Sequence, residues 1–167
     1  MLVTHEASPF HSTEDTTMSQ AYKNLLTAFA NEVGLNPVER FLETEELVID
    51  DITVSLYFEG DDEVGEVVFF SLLGIPAEDR MAEVVRVALE ANYLWAGTGG
   101  ATLGISPDTS HVVIAARLPL DTLSAPALAS LLDSFVDTAS FWRRYVSGEL
   151  KQADLAAVPH MDFAIRG

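Results

Sequence analysis

The stretch from Ile75 to Trp95, with the Gly-rich turn behind it, most restricts what this chain can fold into. Pro76 suits a first helical turn, where a missing N–H would have no partner anyway. Glu78 and Asp79 then place negative charge at the positive end of the helix dipole. Met81, Val84, Val85, Ala88, Leu89, Asn92 and Trp95 recur at helical spacing as one stripe, and Val87, Ala91 and Leu94 form a second apolar strip beside it. An ordinary surface helix needs one stripe. The extra width predicts a central helix that packs on its own sheet and meets a second surface, expected to be another copy of the chain. Gly97, Gly99 and Gly100 are expected to end it, because glycine takes the left-handed conformation common at helix C-termini.

Around this helix the rest of the chain falls into short elements. Residues 1–17, rich in Ser, Thr and His without periodicity, read as a disordered leader. Thr17 and Gln20 have capping-box spacing. The helix they introduce carries Tyr22, Leu25, Leu26, Phe29 and Val33 on one face and stops at Gly34. A connecting segment from Asn36-Pro37 holds Phe41 and Leu42. Three strands follow: Leu47–Ile49, then Ile52–Phe58 with Ile52, Val54, Leu56 and Phe58 on one face, then Glu66–Leu73 after an acidic turn. The third is apolar on both faces, so something must cover its second face. Beyond the central helix, 101–106 and 111–118 read as a hairpin around Pro107–Ser110. A last helix carries Leu128, Leu131, Leu132, Phe135, Val136, Ala139 and Trp142, with Arg143 and Arg144 in its final turns. Residues 149–167 read as a tail. The order α-β-β-β-α-β-β-α predicts one α+β domain over 18–148, a twisted antiparallel sheet flanked by helices.

Composition narrows the function. A chain of 167 residues with 49% hydrophobic content can bury one real core. Nine Lys and Arg against 26 Asp and Glu give a net charge of −17, which argues against nucleic acid and anionic membrane surfaces and favours basic or apolar-and-basic partners. With no cysteine there is no disulfide and no thiolate chemistry. No signal peptide and no apolar run of about 20 residues is present, so the expected location is the cytoplasm without membrane insertion.

Chemistry-bearing motifs are missing. Gly97–Gly104 follows a helix and opens a strand, the reverse of a phosphate loop, and carries no Gly-Lys-Ser/Thr. Asp50, Asp51, Glu59, Asp61, Asp62 and Glu63 lack calcium-loop spacing and read as solvated turns. His5, His11, His111 and His160 have no partner at metal-ligand spacing, and no serine sits in Gly-x-Ser-x-Gly. A binding protein rather than an enzyme is expected, with no cofactor and no metal.

Several segments resemble one family. Leu25-Leu-x-x-Phe29, Ser71-Leu-Leu-Gly-Ile-Pro76, Ala88-Leu-Glu-Ala-Asn92 and Gly99-Gly-Ala-Thr-Leu-Gly104 are similar to class I type III secretion chaperones of the Tir chaperone (CesT) family. Val112-Val-Ile-Ala-Ala-Arg-Leu-Pro-Leu120 and Asp133-Ser-Phe-Val136 continue the likeness, which covers about residues 19–146. The resemblance implies a cytosolic homodimer that holds the N-terminal segment of an effector extended and export-competent, without ATP. It implies a dimer contact near the central helix and the next strand, here Val87, Ala91, Leu94, Trp95, Leu103 and Ile105. It also implies effector-binding patches on the first helix and the sheet, here Leu25, Phe29, Val54, Leu56, Phe58, Val67 and Phe69. For each residue, ordinary core packing is the competing reading. At the level of the whole chain the alternatives are a YbjN-like regulatory module, a small-molecule-binding or enzymatic α+β domain, and a structural dimer subunit of a larger assembly.

Overall fold

In the computed structural model, which describes residues 19–60, 64–151 and 153–154, the first helix starts at Ser19. Its hydroxyl accepts from the Tyr22 N–H at 3.3 Å, so Ser19 is the N-cap in place of the expected Thr17, which lies outside the described residues. Helix α1 (Gln20–Val33) ends at Gly34 in the left-handed conformation, as its sequence requires. The segment expected to be a connection forms a second short helix, α2 (Val38–Thr44), pinned where Phe41 packs on Phe29 with ring centroids 5.8 Å apart.

The strands β1 (Glu46–Ile49), β2 (Ile52–Gly60), β3 (Gly65–Gly74), β4 (Thr102–Ile105) and β5 (Val112–Pro119) make one antiparallel sheet in the order β1-β2-β3-β5-β4. Register decides which side chains meet. Leu56 lies opposite Phe69 and Phe58 opposite Val67, and the rows continue to Ala116 and Leu118 on β5. Leu103 on β4 lies opposite Ile114. This inner face is covered by α1 and by α4 (Ala125–Ser147). Phe135 of α4 meets Phe69 edge-on at 5.0 Å, Tyr22 of α1 stacks on Phe58 at 5.5 Å, and Trp142 and Tyr145 are fully buried. The expected α+β layering of helices on an antiparallel sheet is the observed one.

The central helix is shorter than expected. Pro76 lies ahead of the helix outside any regular element, a single 3-10 turn spans Glu78–Arg80, and α3 covers Met81–Asn92. It stops before the glycines, at a 3-10 turn over Tyr93–Trp95 in which Leu94 and Trp95 take φ of 50° and 55°. Gly97 has a different task from ending the helix. Its N–H bonds the Ala91 carbonyl at 3.0 Å, and a Cβ there would stand 2.7 Å from the Ala91 Cβ. The chain folds back so closely on α3 that only glycine fits.

Four contacts fix α3. The Asn92 amide donates to the Leu103 carbonyl and accepts from the Leu103 N–H, both at 2.9 Å, and so takes the place of a neighbouring strand on the β4 edge. At the other end the Arg80 guanidinium donates to the Tyr145 and Val146 carbonyls in the last turn of α4, where a cation suits the helix dipole. The Tyr145 hydroxyl donates to Glu83 at 2.7 Å. The Trp142 indole N–H donates to the Gly97 carbonyl at 3.0 Å.

Candidate protein-binding surfaces

Helix α3 buries Val84 and Val87 against its own domain and leaves Leu89 outside. The turn after it projects Tyr93, Leu94 and Trp95 into solvent, Leu94 at 71% and Trp95 at 56% exposure. Ile105, at the end of the edge strand β4, is also exposed. A shallow hollow of about 110 Å³ lies between α3 and β4, lined by Val85, Ala88, Leu89, Gly104 and Ile105 among others. The residues lining the hollow are apolar or glycine, and they stand on a helix and a strand. Fully covering a side chain of this size is worth about 1.5–3 kcal/mol, so a partner that closed over it would be held by several such terms.

A second, larger feature is a groove of about 750 Å³ on the opposite side of the fold. Ala21, Leu25 and Ala28 form one wall, at successive turns of α1. Val64 and Gly65 at the start of β3 and the segment from Pro119 to Ala125 form the rest, with Leu120 and Leu123 contributing apolar surface. Glu66 and Asp121 are its only charged lining residues among those described. A third surface is the outer face of the sheet, where Val48 and Leu72 are exposed and Tyr57 meets Phe70 edge-on at 6.2 Å. Arg117 lies on this face, bridging Glu59 at 3.2 Å and Glu66 at 3.1 Å.

The residues that the family resemblance pointed to divide between surface and core. Leu94, Trp95 and Ile105 stand on the exposed α3–β4 face. Val87 and Leu103 are buried beneath it, and Ala91 is half-buried under the returning Gly97 turn. Of the effector-binding candidates, Leu25 is the one that lines the groove. Phe29, Val54, Leu56, Val67 and Phe69 are core residues with at most 3% exposure, and Phe58 is half-buried under Tyr22. As folded, those six present little or no surface to a partner; the side chains that do are Ala21, Ala28, Leu120 and Leu123 at the groove and Val48 and Leu72 on the outer sheet face. Sequence reading passed over the groove because alanines carry little hydrophobic signal. Their spacing with Leu25, at positions 21, 25 and 28, was the trace available.

Among the described residues no group of three or more His, Asp or Glu is placed to hold a metal ion, and His111 contacts Thr109 across 3.0 Å. The ionisations that are strongly perturbed belong to tyrosines in the packing. Burial, with Glu83 adding to it, pushes the Tyr145 hydroxyl up to about 12, and burial raises Tyr22 further, with Glu45 beside it.

A family model described as the Tir chaperone protein (CesT) family matches residues 24–143, about seven-tenths of the chain. The chain belongs to the CesT family. This places it among the type III secretion chaperones. The CesT fold recurs in solved structures. The Yersinia pestis type III secretion chaperone SycH, solved with a stable fragment of YscM2, is 27% identical at a TM-score of 0.50, over 72% of this chain and 98% of that one. A chain of the HopA1–SchA chaperone–effector complex is 22% identical at a TM-score of 0.55, over 74% and 94%. A chain of the ExsC–ExsE complex is 21% identical at 0.59, over 78% and 98%. The last two support the fold. No curated protein sequence matches the chain significantly. As a CesT member the chain has an α1 that starts one turn before the matched region and an α4 that runs one turn past it.

Proposed function

We propose that this CesT-family chain captures the N-terminal segment of a secreted effector in extended form and keeps it soluble for type III export, without ATP and without catalysis of its own. The observation that carries this is apolar surface left open on a closed core: a 750 Å³ groove, and an outer sheet face on which Val48 and Leu72 are exposed. A segment held extended can lay alternate side chains into such a groove or add to the β1 edge through main-chain bonds. Leu56 donates to Glu45, so by antiparallel alternation Glu46 and Val48 turn their backbone groups outward at that edge. The α3–β4 face serves self-association in this reading, so the working unit is a homodimer. The likeness to a chaperone solved with a bound fragment supports the assignment. So does the net charge of −17, which keeps open apolar patches soluble and disfavours nucleic acid. Among the described residues no helix is long and apolar enough to cross a membrane, and the proposed location is the cytoplasm.

The test is coexpression with tagged N-terminal segments of secreted proteins from the same genome, followed by mass measurement by light scattering. The expected species contains two copies of this chain and one segment. A chain that leaves every such segment insoluble and unbound would remove the chaperone assignment. A compact monomer with segment bound would remove only the dimer.

A further inference from the structure

The groove beside α1 carries information about which segments it takes. We infer that it selects a segment in which apolar side chains are flanked by Lys or Arg, and that Asp121 is the residue that reads those cations. The inference rests on the chaperone reading above and adds the chemical class of the captured segment. The walls are apolar and small, from Ala21, Leu25, Ala28 and Leu123, so they accept side chains from outside. Of the two acidic residues in the lining, Glu66 turns its carboxylate to the outer sheet face, where it pairs with Arg117, and Asp121 stands at the groove. One turn beyond Ala28 on the same face of α1 stands Glu32, also exposed. The cation beside Glu66 is Arg117, which Glu59 shares, so that group of three keeps a net negative charge. Lys23, the cation on α1, is two residues from both Ala21 and Leu25 and so faces away from the groove wall.

Charge also decides between occupants. The chain's own first 18 residues contain Glu6, Glu14 and Asp15 and no Lys or Arg, so the groove and Asp121 repel them. A second copy brings a further −17. A cationic, apolar segment of another protein is the occupant that the field attracts, and rim carboxylates act chiefly on the rate at which such a partner docks.

Two fluorescein-labelled peptides of one length test this against the full chain by anisotropy, one alternating Leu with Arg and the other Leu with Glu. The Leu-Arg peptide binds and the Leu-Glu peptide does not. Asp121→Lys weakens the Leu-Arg peptide by about fivefold to tenfold, the scale of reversing one partly exposed charge contact. Ala28→Trp, at an exposed wall position, weakens it further by filling the groove. Asp137→Lys changes net charge equally but lies twelve residues along α4 from Ala125, about 18 Å away, and has little effect. Equal losses from Asp137→Lys and Asp121→Lys, binding of the Leu-Glu peptide, or binding of neither peptide would each overturn the inference. Where a coexpressed effector segment is still captured but is indifferent to Asp121→Lys, the chaperone reading stands and the charge selectivity does not. Failure to capture any segment removes both.

Discussion

Asn92 shows how much one side chain can carry. Its amide satisfies both backbone groups of Leu103 at 2.9 Å, closing the β4 edge at that residue and tying α3 to the sheet. Removing it leaves a part-buried donor and acceptor without partners, and Asn92→Ala is expected to cost about 2 kcal/mol in urea unfolding. Asn92→Asp is expected to cost a similar amount, since a carboxylate cannot donate to the Leu103 carbonyl. Wild-type stability in both variants would show that the bonds contribute nothing. Tyr145 gives a pH signature. Its hydroxyl, ordinarily near 10, is raised to about 12 in the folded chain by burial and by Glu83. Between those values the folded state holds a proton that the unfolded state has lost, so stability present below pH 10 falls as pH rises toward 12. Tyr145→Phe is expected to lower stability at neutral pH through the lost Glu83 bond, yet to flatten the alkaline decline. An unchanged alkaline slope would place the titration elsewhere. Of these two residues, Asn92 was legible in sequence only as part of a stripe, because periodicity records that a position faces inward and not which backbone it will bond.

At the scale of elements, α3 and the turn after it separate folding from association. Leu94 and Trp95 are bulky residues at positive φ, a conformation that costs on the order of 1–3 kcal/mol for a non-glycine residue. Both are mostly exposed, so contacts within the described fold do not offset that cost. Leu94→Gly is therefore expected to leave the urea midpoint of the monomer unchanged or higher while weakening self-association, read as a lower mass by sedimentation at equal concentration. A variant less stable than wild type, with its dimer intact, would reverse the roles assigned to this turn. The width of the apolar surface was visible in sequence but its division was not: each strip gives one residue to the core, Val84 from the first and Val87 from the second, while Leu89 and Trp95 of the first and Leu94 of the second stay outside. Helix α2 was not visible, because seven residues with Phe41 as the one buried side chain give no period to detect. Strand β3 forms where the sequence places it, and what the sequence leaves open is its face. With Val67 and Phe69 on one face and Val68, Phe70 and Leu72 on the other, both assignments satisfy the pattern, and only the register with β2 and β5 decides. That ambiguity applies to Val67 and Phe69; Val54, Leu56 and Phe58 lie on the one apolar face of β2, which the helices cover, and the groove arises only from the folded arrangement of α1 against residues 119–125.

For the molecule as a whole, the charge of −17 acts in opposite senses on the two associations proposed for it. Two copies meeting at the α3–β4 face bring like charge together, so apolar burial there works against repulsion. A cationic segment meeting the α1 groove is attracted by the same field. Salt shortens the range of both effects, from a Debye length of about 10 Å at 0.1 M to about 3 Å at 1 M. Raising sodium chloride across that range should therefore tighten the contact between copies and loosen the bound segment. Sedimentation equilibrium reads the first and anisotropy of a labelled segment reads the second, on the same preparation. The two dissociation constants are expected to move in opposite directions, the copy–copy value falling and the segment value rising. Parallel movement would mean that one interface is governed by something other than the net field: a rise in both would point to ion pairs across the copy–copy contact, and a fall in both to a segment held by apolar burial alone. The −17 charge would then serve solubility, leaving Asp121 without a part in choosing what the groove takes.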